Sequence, residues 1–302
     1  MFERYEDEGH TIFHGDALHI LSSEISSESV DIVFIDPPYN IGKRFSNFYD
    51  KWESEEEYAK WAYKLLDECL RILKPNGTLY VMTSTQAMPY FDLYLRQKIV
   101  ILSRIVWHYD SSGVQATKYF GSMYEPILHC VKDKSNYIFN SADIKIAAKT
   151  GAQRKLIDYR KSVPSQYNTE KVPGNVWYFS RVRYRMQEYE NHPSQKPESL
   201  LERIILASSD QGSIVLDPFA GTFTSAAVAK RLGRISISIE SQEEYLKIGL
   251  RRVLGWKEYK GEKLLSPQKN NIIKNKNGQK INAIQGSFFD ADSTVSIHEK
   301  NP

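Results

Sequence analysis

Four short, largely apolar runs in this chain each end on a carboxylate, and helix-forming stretches lie between them. TIFHGD ends on Asp16, VDIVFID on Asp36, SIVLD on Asp217 and RISISIE on Glu240. Runs of this length, rich in β-branched and aromatic residues, suit strands buried in a sheet. A helical pattern spans about Ser54 to Leu73, opened by Ser54 and Glu57 at capping-box spacing and stopped by Pro75 and the Asn76-Gly77 turn. TLYVM follows as a further strand, and a second helix is expected over roughly Thr222 to Leu232. Strands separated by helices of ten or more residues imply parallel βαβ units. The two ends of the chain therefore predict one doubly wound α/β sheet.

The middle reads differently. From about Val100 to Pro193 the pattern is short alternating strands, turns and basic-aromatic loops without a long amphipathic helix. Its first part is expected to complete the sheet with antiparallel strands, and the rest to form an inserted lobe. Between Arg96 and Arg185 there are 16 Lys and Arg against 6 Asp and Glu, in a chain whose net charge is only +3. Such a segment, interleaved with Trp and Tyr, suits a polyanion such as nucleic acid, or else a solvated basic face. Arg154, Lys155, Arg160, Arg181 and Arg183 are the candidate DNA contacts. After Trp256 the chain turns to Lys, Asn and Gln and is expected to be loosely ordered.

Composition excludes several classes. The two cysteines, Cys69 and Cys130, have no metal-ligand spacing, so neither a disulfide framework nor a metal site is expected. The N-terminus lacks an apolar leader and no run approaches a membrane span, so a cytoplasmic protein is the expectation.

Ligands of open parallel sheets sit at the carboxyl ends of the strands. Any one acid there could be a helix cap, but four together point to a ligand site. In DPFAGTFTSAAVAKRLGRISISIE a strand, a glycine turn and a helix are followed by an acid 23 residues after Asp217. That spacing suits the hydroxyls of a ribose. No Gly-x-Gly occurs among the 16 glycines, so the pyrophosphate cradle of dinucleotide enzymes is absent. S-adenosyl-L-methionine, with an adenosine-like ribose and no phosphates, fits.

The run at Asp36 ends on Asp-Pro-Pro-Tyr. At average composition this tetrapeptide arises by chance on the order of once in a thousand proteins of this length. Two prolines stiffen the turn and remove two N–H donors. Carbonyls and a carboxylate then face the crevice beside a tyrosine ring, an arrangement suited to a planar group bearing an NH2.

DPPY at Asp36 to Tyr39, DPFAGTFT at Asp217 to Thr224, HPSQKPESLLERII at His192 to Ile205 and HGDAL at His14 to Leu18 resemble the amino-methylating DNA methyltransferases of the β circular-permutation class. In that class the catalytic motif precedes the cofactor motif. YDSSGVQA, YFGSMYEP, AKTGAQRKLIDYRK and VPGNVW narrow the resemblance to the group of N6-adenine enzymes that act on short palindromic sites. It implies a Rossmann-like methyltransferase sheet, circularly permuted, over 1–130 and 190–256, a target-recognition insert over 131–189 and a tail over 257–302.

The resemblance also implies roles. Asp36 and the Pro37 carbonyl would accept the target amine's hydrogens, Pro38 would stiffen the turn and Tyr39 would stack on the base. Asp16 would hold the cofactor's adenine amine and Glu240 its ribose. Asp36, Lys196, Asp217, Phe219, Ala220, Gly221, Thr222 and Thr224 would complete the cofactor site. Double-stranded DNA is the implied partner, with a cognate restriction endonuclease and a homodimer as further expectations. N4-cytosine methylation, and a weakly active or inactive nucleic-acid-binding protein on the same scaffold, are the alternatives. Phe223 and Ser238 depart from the pattern, each standing where relatives carry glycine.

Overall fold

The computed structural model describes residues 2–110, 116–149, 154–264, 273–274 and 280–281. Residues 1–265 form one compact unit. Its sheet has nine strands, labelled here in chain order: β1 Glu3–Asp7, β2 His10–His14, β3 Val30–Ile35, β4 Leu73–Met82, β5 Val100–His108, β6 Tyr124–Val131, β7 Val176–Tyr178, β8 Ile214–Asp217 and β9 Ile235–Glu240. Their spatial order is β1-β2-β9-β8-β3-β4-β6-β5-β7. The five strands from β2 to β4 run parallel, while β1 and β6 pair antiparallel with their neighbours.

Alternation along the central strands explains the layers. Val33 and Ile35 of β3 pack with Tyr58, Leu65 and Leu66 of α2 (Glu55–Ile72) and Ile20 and Leu21 of α1 (Ala17–Glu24). Ile32 and Phe34 face the other way, onto Leu200, Ile204 and Val228 of α4 (Glu198–Ser208) and α5 (Thr224–Arg231). Because the strand is covered on both sides, its sequence is a continuous apolar run. Helix α2 starts where the capping box places it: the Ser54 hydroxyl accepts from the Glu57 N–H at 3.2 Å. A third helix on this side is α3 (Met88–Leu95), and α6 (Glu243–Arg252) follows β9.

Two boundaries differ from the sequence reading, and the sheet gains one strand that the reading did not name. An N-terminal strand, β1, extends the sheet edge through its hairpin with β2. The insert read as 131–189 is not set apart, because Val176–Tyr178 returns to the sheet as β7, parallel to β5. Residues 257–264 do not begin a loose tail: Glu258–Tyr259 pairs with Glu262–Lys263, and Tyr259 is buried beside Leu254 and Leu250. Residues 266–302 form a separate unit, in which Ile273–Lys274 pairs antiparallel with Lys280–Ile281. The rest of the tail expectation lies outside the described residues. Among the described residues no helix is long and apolar enough to cross a membrane.

Candidate active site

Strands β3 and β8 are parallel neighbours, so their carboxyl ends deliver the Asp36 turn and the Asp217 loop side by side. The first half of the chain thus meets its last third at the carboxyl ends of the parallel strands. A crevice of about 510 Å³ opens there, lined by Asp16, Asp36–Tyr39, Lys196, Phe219, Gly221 and Glu240. Aromatic side chains from several elements complete its walls, among them Phe45, Phe48, Trp52, Trp61, Tyr109 and Tyr245.

The Asp36–Tyr39 turn is held by its surroundings as well as by its prolines. Beyond the two prolines, the Tyr39 and Asn40 N–H groups donate to the buried Asp50 carboxylate at 3.1 and 2.6 Å. The Tyr58 hydroxyl of α2 donates to the Pro38 carbonyl at 2.9 Å. Asp50 sits on a short hairpin, Lys43–Phe45 with Phe48–Asp50, that packs over the crevice. Asp50 and Tyr58 were not picked out from sequence, since neither lies in a recognisable motif.

Asp36 lies in a charged cluster. Lys196 Nζ approaches its Oδ2 at 2.5 Å, and the Tyr39 hydroxyl donates to its Oδ1 at 2.5 Å. Glu125 of β6 adds a second carboxylate, 3.6 Å from Lys196 and accepting from the Tyr39 hydroxyl at 3.0 Å. Burial raises the Asp36 pKa against the pull of Lys196, and Glu125 raises it further. Burial also disfavours the Lys196 ammonium, yet the two carboxylates hold its pKa above the ordinary lysine value. Burial pushes the Tyr39 phenol well above its usual range, so it stays a hydrogen-bond donor.

The side of the crevice formed by the Asp217–Thr224 loop is built on two buried acids. Glu240 accepts from the Gly221 and Gln242 N–H groups, each at 2.8 Å, and burial raises its pKa to about 7. Asp217 accepts from the Phe219 N–H at 3.0 Å and from the Ser225 hydroxyl, and burial likewise raises it to about 7. Gly221 has φ of +49°, and a Cβ there would lie 3.2 Å from His192 Nε2. That ring stays neutral, since burial lowers its pKa to about 3, with Lys196 and Lys43 adding to the effect.

The expected cofactor residues therefore divide. Asp16, Asp36, Lys196, Phe219, Gly221 and Glu240 line the crevice, and Asp16 also caps α1 by accepting from the His19 N–H at 2.8 Å. Asp217, Ala220, Thr222 and Thr224 instead surround a small void of about 30 Å³ behind the loop. Their side chains shape the loop: Asp217 fixes its turn, and Thr222 and Thr224 bond each other at 3.0 Å.

Of the basic candidates, Arg181 alone lines the crevice, its guanidinium 5.1 Å from the centre of the Tyr109 ring. Arg183 donates to the Asp110 carbonyl at 3.1 Å, and Arg160 is held by both oxygens of Asp158. Arg154 and Lys155 are exposed, away from the crevice lining. Glu125 was missed, although it stands inside the YFGSMYEP segment that carried part of the resemblance.

Comparison with known proteins agrees with this geometry. A family described as DNA methylase matches residues 30–251. The DNA adenine methyltransferase YhdJ of Escherichia coli (strain K12) is 57% identical over 266 residues, covering 88% of this chain and 90% of that protein. The type II methyltransferase M.HpaI of Haemophilus parainfluenzae is 35% identical, covering 76% and 69% respectively. Among solved structures, the cytosine-N4-specific PvuII DNA methyltransferase shares the fold with a TM-score of 0.62 at 19% identity, covering 82% of this chain and 87% of its own. With the site at the β3 and β8 strand ends and the match spanning both halves, the chain belongs to the DNA methylase family.

Proposed function

We propose that this protein transfers a methyl group from S-adenosyl-L-methionine to N6 of adenine in a short, six-base palindromic site of duplex DNA, after flipping the base into the crevice. The observation that carries the reading is the Asp36–Tyr39 turn, which presents a carboxylate and an aromatic ring together at the mouth of the cofactor loop. The 57% identity to a protein named DNA adenine methyltransferase supports adenine as the base.

The residues fit this cofactor. Glu240 accepts from backbone N–H groups on both of its oxygens, and a carboxylate has about four acceptor positions, so capacity remains for a ribose hydroxyl. Asp16 offers an acceptor for an adenine amine, and Ala17, Leu18 and Phe219 line the same crevice. Bound there, the cofactor supplies an electrophilic methyl group on a sulfonium.

The chain supplies the alignment. An adenine amine is a poor nucleophile because its lone pair is delocalised into the ring. Asp36 and the Pro37 carbonyl, accepting its two hydrogens, favour a pyramidal nitrogen and stabilise the positive charge that develops on it. Lys196 holds the carboxylate in place and opposes the effect of burial on its charge. Extruding the base costs a few kcal/mol, and stacking on Tyr39 returns about 1–3 kcal/mol.

Incubating the protein with unmethylated duplex DNA and S-adenosyl-L-methionine, then identifying the modified nucleosides by mass spectrometry, tests the reading. N6-methyladenine is the expected product, and sequencing the same DNA reads the site. N4-methylcytosine would overturn the choice of base, and no product from cofactor-binding protein would overturn the reaction.

A further inference from the structure

The Tyr39 hydroxyl has one proton to donate and two carboxylates within reach: Asp36 Oδ1 at 2.5 Å and Glu125 Oε2 at 3.0 Å. Glu125 reaches this position through the sheet. Strand β6 runs antiparallel to β4, with Ile127 opposite Met82, so its beginning lies at the edge where the parallel strands end. Its other oxygen faces the Tyr109 hydroxyl at 3.5 Å, and Lys196 stands 3.6 Å from Oε2. Glu125 is thus a carboxylate mounted on a regular strand, already in contact with the ring expected to stack on the flipped base.

The arrangement poses a problem that Glu125 solves. Both Asp36 oxygens carry donors, Tyr39 on one and Lys196 on the other. Oδ1 has room for a second donor, but a target amine would share it with a short charge-assisted bond from the phenol, which weakens the acceptor it meets. Resting on the N6-adenine reading above, we infer that Glu125 is a positioning residue that takes the Tyr39 hydroxyl when Asp36 turns to the substrate amine. The handover frees the acceptor and keeps the tyrosine ring anchored for stacking. The phenol exchanges one carboxylate for another, and the substrate amine replaces it on Asp36, so no proton is gained or lost.

Glu125→Ala, Glu125→Gln, Tyr39→Phe and the double variant Tyr39→Phe/Glu125→Ala test this by steady-state kinetics on a duplex whose product has first been identified with the unaltered protein. Absence of N6-methyladenine at that first step would sink the adenine reading and leave no phenol handover to measure on it. Given that product, Glu125→Ala should lower kcat by about 10–100-fold, the scale of one hydrogen bond to a charged group. The KM for cofactor and the melting temperature of Glu125→Gln should stay near those of the unaltered protein. Glu125→Gln should retain most of the activity, because its amide oxygen still accepts from the phenol. In the Tyr39→Phe background, where no hydroxyl competes, Glu125→Ala should cost little more. Equal losses with and without the hydroxyl, or a Gln variant as impaired as the Ala variant, would overturn the inference.

Discussion

The ring of Phe223 lies against Gly249 so closely that a Cβ on Gly249 would come within 2.5 Å of its edge. Phe223 has φ of +59°, the left-handed conformation that glycine adopts freely, and its side chain is fully buried. A phenylalanine at this left-handed position of the Asp217–Thr224 loop is therefore accommodated from outside the loop. A missing side chain on α6 makes room for the ring, which then joins Ile12, Leu246 and Leu250 in a packed cluster. Ser238, the other position expected to differ from relatives, is buried in β9 with its hydroxyl unpartnered among the described residues.

Gly249→Ala should destabilise the protein, even though alanine is the better helix former by about 1 kcal/mol. Forcing a methyl group into the ring costs typically 1–3 kcal/mol in a packed core. In a Phe223→Gly background the clash is gone, so the same substitution should become neutral or stabilising. Urea melts of the two single variants and the double variant read the coupling directly.

Asp36→Asn should abolish turnover, by about a hundredfold or more, because the charge that faces the developing cation is lost. The side chain keeps its size, so cofactor affinity should fall far less than turnover. Calorimetry alongside a single-turnover assay separates these effects. Full turnover by this variant would contradict the proposed role of Asp36.

Cofactor affinity should depend on pH through Glu240. Burial raises its pKa to about 7, above the usual carboxylate range. Ribose hydroxyls donating to it favour the ionised form, so affinity should rise with pH up to about 7, by at most about tenfold per unit, and then level off. Calorimetric titrations from acid to mildly alkaline pH should show that profile, and Glu240→Gln should flatten it. The sign for stability is opposite. Without cofactor, the raised pKa stabilises the fold below the unfolded carboxylate pKa, and that contribution fades as pH climbs toward 7; Asp217, also raised to about 7, acts in the same direction.

Arg181→Ala should weaken DNA binding and reduce the salt slope by about one unit if its contact is to a phosphate. Cofactor affinity should not change. Arg160→Ala should have a smaller effect on DNA, since its guanidinium is already paired with Asp158. Affinities measured over a range of salt concentrations distinguish the two arginines.

What the sequence by itself determined follows from local constraint. Strands covered on both faces must be apolar throughout, and their carboxyl ends must carry the polar groups of the site, so Asp16, Asp36, Asp217 and Glu240 could be placed at one edge before any coordinates. The prolines and tyrosine after Asp36 are equally local, and Ser54 caps α2 from within its own turn. Tertiary structure alone decided which acids face the crevice and which face away. Asp217 turns back to hold its loop, whereas Glu125 enters from an antiparallel strand whose register no local pattern encodes. Asp50 reaches the Tyr39 and Asn40 N–H groups through a hairpin fold, and Val176–Tyr178 returns from the insert to the sheet edge. The physical reason is that a side chain's chemistry is written at one position, while its direction is set by strand register and packing between residues far apart in the chain.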